Sequence, residues 1–275
     1  MTYATILAHL APGRQNTRLL NVVGRLADRF NAGIVGIAAC QPMMVSYGEG
    51  FTSSDLVQAD RDDIVKNLQD AENEFRATFQ SRATPYEWRS TISAAPLADY
   101  VVAEARCADL IVVGLIAEDL FARSRAAQIG DLILQAGRPV LLVPEAVDAL
   151  SVNRVVLAWK DTREARRAAA DALPILAAAS HVALVEIAAE ADFSLARVRL
   201  GDVASWLTAH GVSAAAKVVR ATGDDAGQLA SVCKEEGADV LVAGAYGHSR
   251  MREWAFGGVT RDLLLTSGRC VLVSH

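Results

Sequence analysis

From Gly244 to Thr260 the chain carries glycines at a spacing suited to holding an anion: Gly244-x2-Gly247-x9-Gly257-Gly258, then Val259 and Thr260. An apolar run, Val240–Gly244, reads as a strand before this loop, and Gly258–Thr266 reads as a helix after it. Glycine admits positive φ and lets a phosphate approach where a Cβ would collide. The first N–H groups of a helix have no internal partner and its dipole favours negative charge, so such a loop can cradle phosphate. His248, Ser249, Arg250 and Arg252 lie inside the loop, within reach of phosphate oxygens or a ribose, and Thr260 adds a hydroxyl. The same glycines would equally serve a plain turn and helix start. The pattern is neither a G-K-[ST] loop nor G-x-G-x-x-G.

The segment has an earlier counterpart. "CADLIVVGLIAEDLFARSRAAQIGDLILQAGRPVLLVPE" from Cys107 and "GADVLVAGAYGHSRMREWAFGGVTRDLLLTSGRCVLVSH" from Gly237 read as copies of one strand–loop–helix–strand element. With a one-residue gap the earlier copy offers Gly114, then Ala117, Ala126 and Ala127. Alanine at a close-approach or positive-φ position costs roughly 1 kcal/mol or more and blocks a phosphate path. The first half is therefore expected to bind no nucleotide through this loop.

The repeat divides the 275 residues into two domains, 1–147 and 151–275. Each alternates short apolar runs with longer helical patterns, which predicts a parallel sheet with crossover helices. Strands are predicted at Ala4–Leu10, Gly33–Ala39, Glu87–Ser93, Leu110–Gly114 and Val140–Pro144. The second set is Val155–Trp159, His181–Ile187, Ala214–Ala221, Val240–Gly244 and Cys270–Ser274. Helices are predicted at Asn16–Asn31, Ser54–Ser81, Pro96–Arg106, Ser124–Ala136, Arg163–Ala179, Ser194–His210, Asp225–Glu236 and Gly258–Thr266. Ile64, Leu68, Ala71, Phe75 and Phe79 form one buried stripe, opposite a charged face of Asp60, Arg61, Asp62, Asp63 and Lys66. "PEAVDALSVNR" between the halves is too short for a flexible tether, so the halves should pack against each other.

A net charge of −5 gives no footprint for nucleic acid, and no apolar stretch is long enough to cross a bilayer. The N-terminus lacks the features of a signal peptide, and the expected location is cytoplasmic. Cys40, Cys107, Cys233 and Cys270 form no C-x-x-C pair and read as buried free thiols. The five histidines show no metal-ligand spacing, and no nucleophile–base pair is visible.

The order of strands and helices, with "GAYGHSRMREWAFGGVTRDLL" as its most specific part, resembles the universal stress protein family over the whole chain. The resemblance implies two Rossmann-like five-stranded α/β domains of the adenine nucleotide alpha-hydrolase type, packed in tandem as a pseudo-dimer. Their last strands, Val140–Pro144 and Cys270–Ser274, would meet across a pseudo-twofold. It also implies ATP, with Mg²⁺, held by the glycine-loop amides and by the end of the first strand of the second half: Ala158, Trp159, Lys160 and Asp161. Members of that family without the loop are taken to work without nucleotide.

Two departures bear on this. Gly258 stands where the family has a hydroxyl residue, and Lys160 stands where it has the Asp that meets adenine, with Asp161 one position later. The reading is a stress-response protein acting through nucleotide-dependent conformation or partner choice, with slow or no ATP hydrolysis and room for a homodimer. A nucleotide-free interaction scaffold is the alternative, and an enzyme on a related fold is the weakest option. In "TGDDAG", Asp224 reads first as a helix cap, with Mg²⁺ binding by Asp224 and Asp225 as the alternative. Trp159 reads as core packing or as an adenine wall. The segment "QPMMVSYGEGFTSSD" could cover the first crevice.

Overall fold

A computed structural model describes residues 2–43, 54–115, 129–245 and 268–275. The first half runs β1 (Thr5–His9), α1 (Thr17–Phe30), β2 (Gly33–Cys40), α2 (Ser54–Phe79), β3 (Tyr86–Ile92), α3 (Leu97–Glu104), β4 (Leu110–Leu115), α4 (Ile129–Gln135) and β5 (Val140–Pro144). The second runs β6 (Arg154–Trp159), α5 (Arg163–Asp171), α6 (Leu173–Ala178), β7 (His181–Ala188), α7 (Phe193–Ala209), β8 (Ala214–Arg220), α8 (Asp225–Glu235), β9 (Val240–Gly244) and β10 (Cys270–Ser274).

All ten strands form one sheet in the order β3-β2-β1-β4-β5-β10-β9-β6-β7-β8. Every pairing is parallel except the central one, where β5 and β10 run antiparallel with Leu141 opposite Leu272. The expected meeting of the two last strands is thus observed, and among the described residues it leaves β3 and β8 as the edges. Sequence and position agree here: β5 (VLLVP) and β10 (CVLVS) are buried throughout because helices cover both faces of a central strand.

One core continues across the junction, with Leu20, Leu26 and Phe75 of the first half and Leu157, Leu173 and Leu200 of the second in a single apolar cluster. Polar bonds also cross. The Tyr3 hydroxyl donates to the Asp171 carbonyl at 2.8 Å, Arg29 donates to the Ala178 carbonyl, and Arg167 donates to the Gly137 carbonyl at 2.8 Å. In the connecting segment Leu150 and Val152 are buried, and Val152 holds φ at 51°, a conformation a β-branched residue takes only when its surroundings impose it.

The stripe Ile64, Leu68, Ala71, Phe75 and Phe79 on α2 is buried as expected, with Phe75 and Phe79 ring centroids 5.0 Å apart. Two expectations need correction. The single helix expected over Arg163–Ala179 is broken at Ala172, because Pro174 has no N–H to continue the ladder and its ring clashes with the preceding turn. Cys107, expected to be buried, is exposed on a 3-10 turn (Ala105–Cys107) after α3, whereas Cys40, Cys233 and Cys270 are buried. Burial pushes the Cys270 thiol up to about 12, which leaves it unreactive. The helix expected at Gly258–Thr266 and most of "QPMMVSYGEGFTSSD" lie outside the described residues.

Candidate functional site

In the second half the strand order reverses between β6 and β9, and an open parallel sheet forms its ligand crevice beyond the strand ends at such a switch point. Leu157 pairs with Val242, so two residues on, Trp159 of β6 comes level with Gly244 of β9. Gly244 is also level with Ser274 of β10, and Trp159 with Glu186 of β7. Ala158, Trp159, Lys160, Asp161 and Gly244 therefore share one rim. Gly247, His248, Arg250, Gly257, Gly258, Val259 and Thr260 lie outside the described residues, as do Ala117, Ala126 and Ala127 of the first half.

Each described member has a definite setting. Lys160 and Asp161 are exposed in the short turn after β6. Asp161 accepts from the Arg166 guanidinium at 2.5 Å, an exposed pair of small energetic weight. Thr162 caps α5, its hydroxyl accepting the Ala165 N–H at 3.3 Å. Trp159 is partly buried against the shared core, which favours the packing role, yet its indole N–H is buried with no acceptor among the described residues. The Ser274 hydroxyl, also buried, has none either.

Gly244 has a structural reason to be glycine. A Cβ there would lie 2.5 Å from the Ala165 nitrogen and 2.6 Å from the Glu164 carbonyl carbon, so the first turn of α5 rests directly on the end of β9. A Cβ on the equivalent Gly114 would meet nothing within 4 Å.

Three groups beside the rim were not singled out from sequence. Burial acts first on the Glu164 carboxyl and pushes its pKa up, but a backbone N–H, Thr162 and Arg163 outweigh it and hold the group below the usual carboxylate range. Glu186 is buried and paired with Arg199 of α7, whose pKa that hydrogen bond raises. His275 places Nδ1 3.2 Å from the Ala245 carbonyl oxygen. Of these, only Glu186 had a signal in sequence, as one acid inside the apolar run "HVALVEIA".

Asp224 accepts the Gly227 N–H at 2.9 Å and caps α8, the first of its two readings. Among the described residues no group of His, Cys, Asp and Glu is arranged to hold a metal ion. No described helix is long and apolar enough to cross a membrane. At the corresponding rim of the first half stands His9, buried and with its pKa lowered to about 4 by that burial.

No protein-family model and no curated protein matches the sequence. Solved structures do match. A universal stress protein from Archaeoglobus fulgidus DSM 4304 superposes with a TM-score of 0.74 at 13% identity, over 98% of this chain and 95% of that one. The fold is that of a tandem universal stress protein. Another structure of this fold, a putative universal stress protein from Pseudomonas aeruginosa UCBPP-PA14, has a TM-score of 0.64 at 14% identity, over 99% and 93% of the two chains. A protein of unknown function from Pseudomonas aeruginosa PAO1 has a TM-score of 0.61 at 13% identity, over 99% and 92%. The universal stress fold thus accounts for the whole chain, both halves included.

Proposed function

We infer that this chain is a cytoplasmic universal stress protein of two domains, 1–147 and 151–275, whose second domain binds ATP or another adenine nucleotide. It acts through nucleotide-dependent conformation or choice of partner. One observation carries the reading: Ala158–Asp161 and Gly244 come level at the switch point of the second half, where the sequence continues into the Gly247-x9-Gly257 spacing suited to phosphate. Lys160 and Asp161, exposed on that rim, would face an entering nucleotide. Mg²⁺ would arrive with the phosphates, since among the described residues no group of carboxylates is arranged to hold it alone. The first domain, with alanines in place of the loop glycines, serves as a partner for the second.

The nucleotide-free scaffold keeps one specific support. The contact of α5 with Gly244 explains that glycine without any ligand. Mass spectrometry of small molecules released from the purified chain, with calorimetric titration of ATP, decides between the readings. Nucleotide binding predicts heat that Gly247→Ala and Gly257→Ala abolish and that changes at Ala126 or Ala127 leave intact. No released nucleotide and no heat at millimolar ATP would leave the scaffold.

A further inference from the structure

At the outer edge of the second half, β8 has β7 on one side and, among the described residues, no strand on the other. The Ala221 N–H donates to the Ala188 carbonyl at 2.8 Å, which fixes the alternation: odd-numbered residues of β8 turn their backbone groups to β7. Those of Ala214, Ala216, Val218 and Arg220 turn outward. One end of this row is already engaged. The Gln228 side-chain amide of α8 donates to the Arg220 carbonyl at 2.5 Å and accepts the Thr222 N–H at 2.8 Å. A side-chain amide thus occupies the lane an added strand would take.

Alongside the edge lies a groove of about 610 Å³ between β8 and α8. Its width follows from the small residues Gly227 and Ser231 on the helix, and its floor is Val219 and Val232. The rim carries Asp224 and Glu235 against a single cation, Lys217, with Asp225 adjacent. Lys217 and Glu235 pair at 3.1 Å, but both are about half exposed or more and separate at little cost. The other edge of the sheet is different: Arg89 of β3 reaches Glu104 of α3 at 2.5 Å and Glu87 at 2.8 Å, tying strand to helix.

We propose that the β8 edge and the α8 groove receive an extended, basic peptide segment of a partner protein by strand addition. Backbone groups of the segment pair with Ala214, Ala216 and Val218. Alternate side chains enter the groove, small apolar ones over Val219 and Val232 and a lysine or arginine toward Asp224 and Glu235. Charge sets this occupant above a second copy of the chain, because edge-to-edge pairing of two copies would bring two acidic α8 rims together on one face. The surface lies on the outermost strand, and does not depend on nucleotide binding.

The test uses the full-length chain and two synthetic probes, acetyl-(Val-Lys)3-amide and acetyl-(Val-Glu)3-amide, followed by backbone amide resonances. The basic probe should shift the Ala216, Val218 and Arg220 amides and slow their hydrogen exchange, and the acidic probe should not. Ser231→Trp, on an exposed helix position, fills the groove and should weaken binding about tenfold or more, as should Ala216→Pro, which removes an outward N–H. Equal binding of both probes, shifts elsewhere on the molecule, or binding indifferent to Ser231→Trp overturns the proposal. So does concentration-dependent dimerisation that protects the same amides with no peptide present.

Discussion

Gly244, the last residue of β9, and Ala165, in the first turn of α5, touch so closely that a Cβ on the glycine would sit 2.5 Å from the Ala165 nitrogen. The strand leading into the glycine loop and the helix leading out of β6 are thereby seated on each other. The spacing of the rim at this switch point is therefore set by backbone against backbone.

Replacing Gly244 with alanine should accordingly cost about 1–3 kcal/mol, the range for forcing an extra methyl into a filled site. Gly114→Ala, with open space around the new methyl, should stay within about 0.5 kcal/mol of the parent. Urea unfolding midpoints of the two variants make the comparison. Equal effects would show that α5 does not rest on β9.

The Tyr3 hydroxyl bonds the Asp171 carbonyl across the two halves, and its ring stands edge-on to Phe30 with centroids 5.1 Å apart. Tyr3→Phe keeps the ring and orphans the carbonyl, so a loss of about 1–2 kcal/mol is expected. Because the bond joins the halves, the loss should appear in one shared unfolding transition. A second transition assigned to one half alone would contradict the continuous core.

His9 gives stability a pH dependence of defined sign. Its folded pKa lies near 4, below the ordinary 6.5, because burial disfavours the imidazolium. Between those values the unfolded chain takes up a proton that the folded chain refuses. The contribution is full above pH 6.5 and is lost as pH falls toward 4, by about 3 kcal/mol. Unfolding free energy measured from pH 7 to pH 4 should fall more steeply for the parent than for His9→Leu. Parallel curves would mean that His9 is not buried as a neutral ring.

Much of this architecture is legible in local patterns. The strands are apolar runs and the α2 stripe keeps helical spacing, whereas the antiparallel pairing of β5 with β10 is implied by the family resemblance alone. The break at Ala172 is harder to see, because the alanine-rich run around Pro174 has helical character on both sides. Contacts between distant segments leave no local trace. The dependence of Gly244 on α5 and the outward row of β8 plugged by Gln228 both need the sheet order before they can be read. For the candidate site, sequence supplies the glycine spacing and the residues ending β6, whereas the packing that sets their rim comes from tertiary structure.

The Glu186–Arg199 pair beside Trp159 supplies the last prediction. The Glu186 side chain is 6% exposed and that of Arg199 23%, so the carboxylate is held largely out of water by one partner. Arg199→Met removes that partner while keeping the aliphatic bulk, and an uncompensated buried charge typically costs about 3–5 kcal/mol. Glu186→Gln combined with Arg199→Met removes both charges and should recover much of the loss, since two neutral groups carry a smaller desolvation penalty than one orphaned ion. A thermodynamic cycle over the parent, both single variants and the double measures the coupling directly. Coupling near zero would assign the pair to solvent-screened surface chemistry. A large coupling would identify it as the polar brace that holds β7 to α7 beneath the rim.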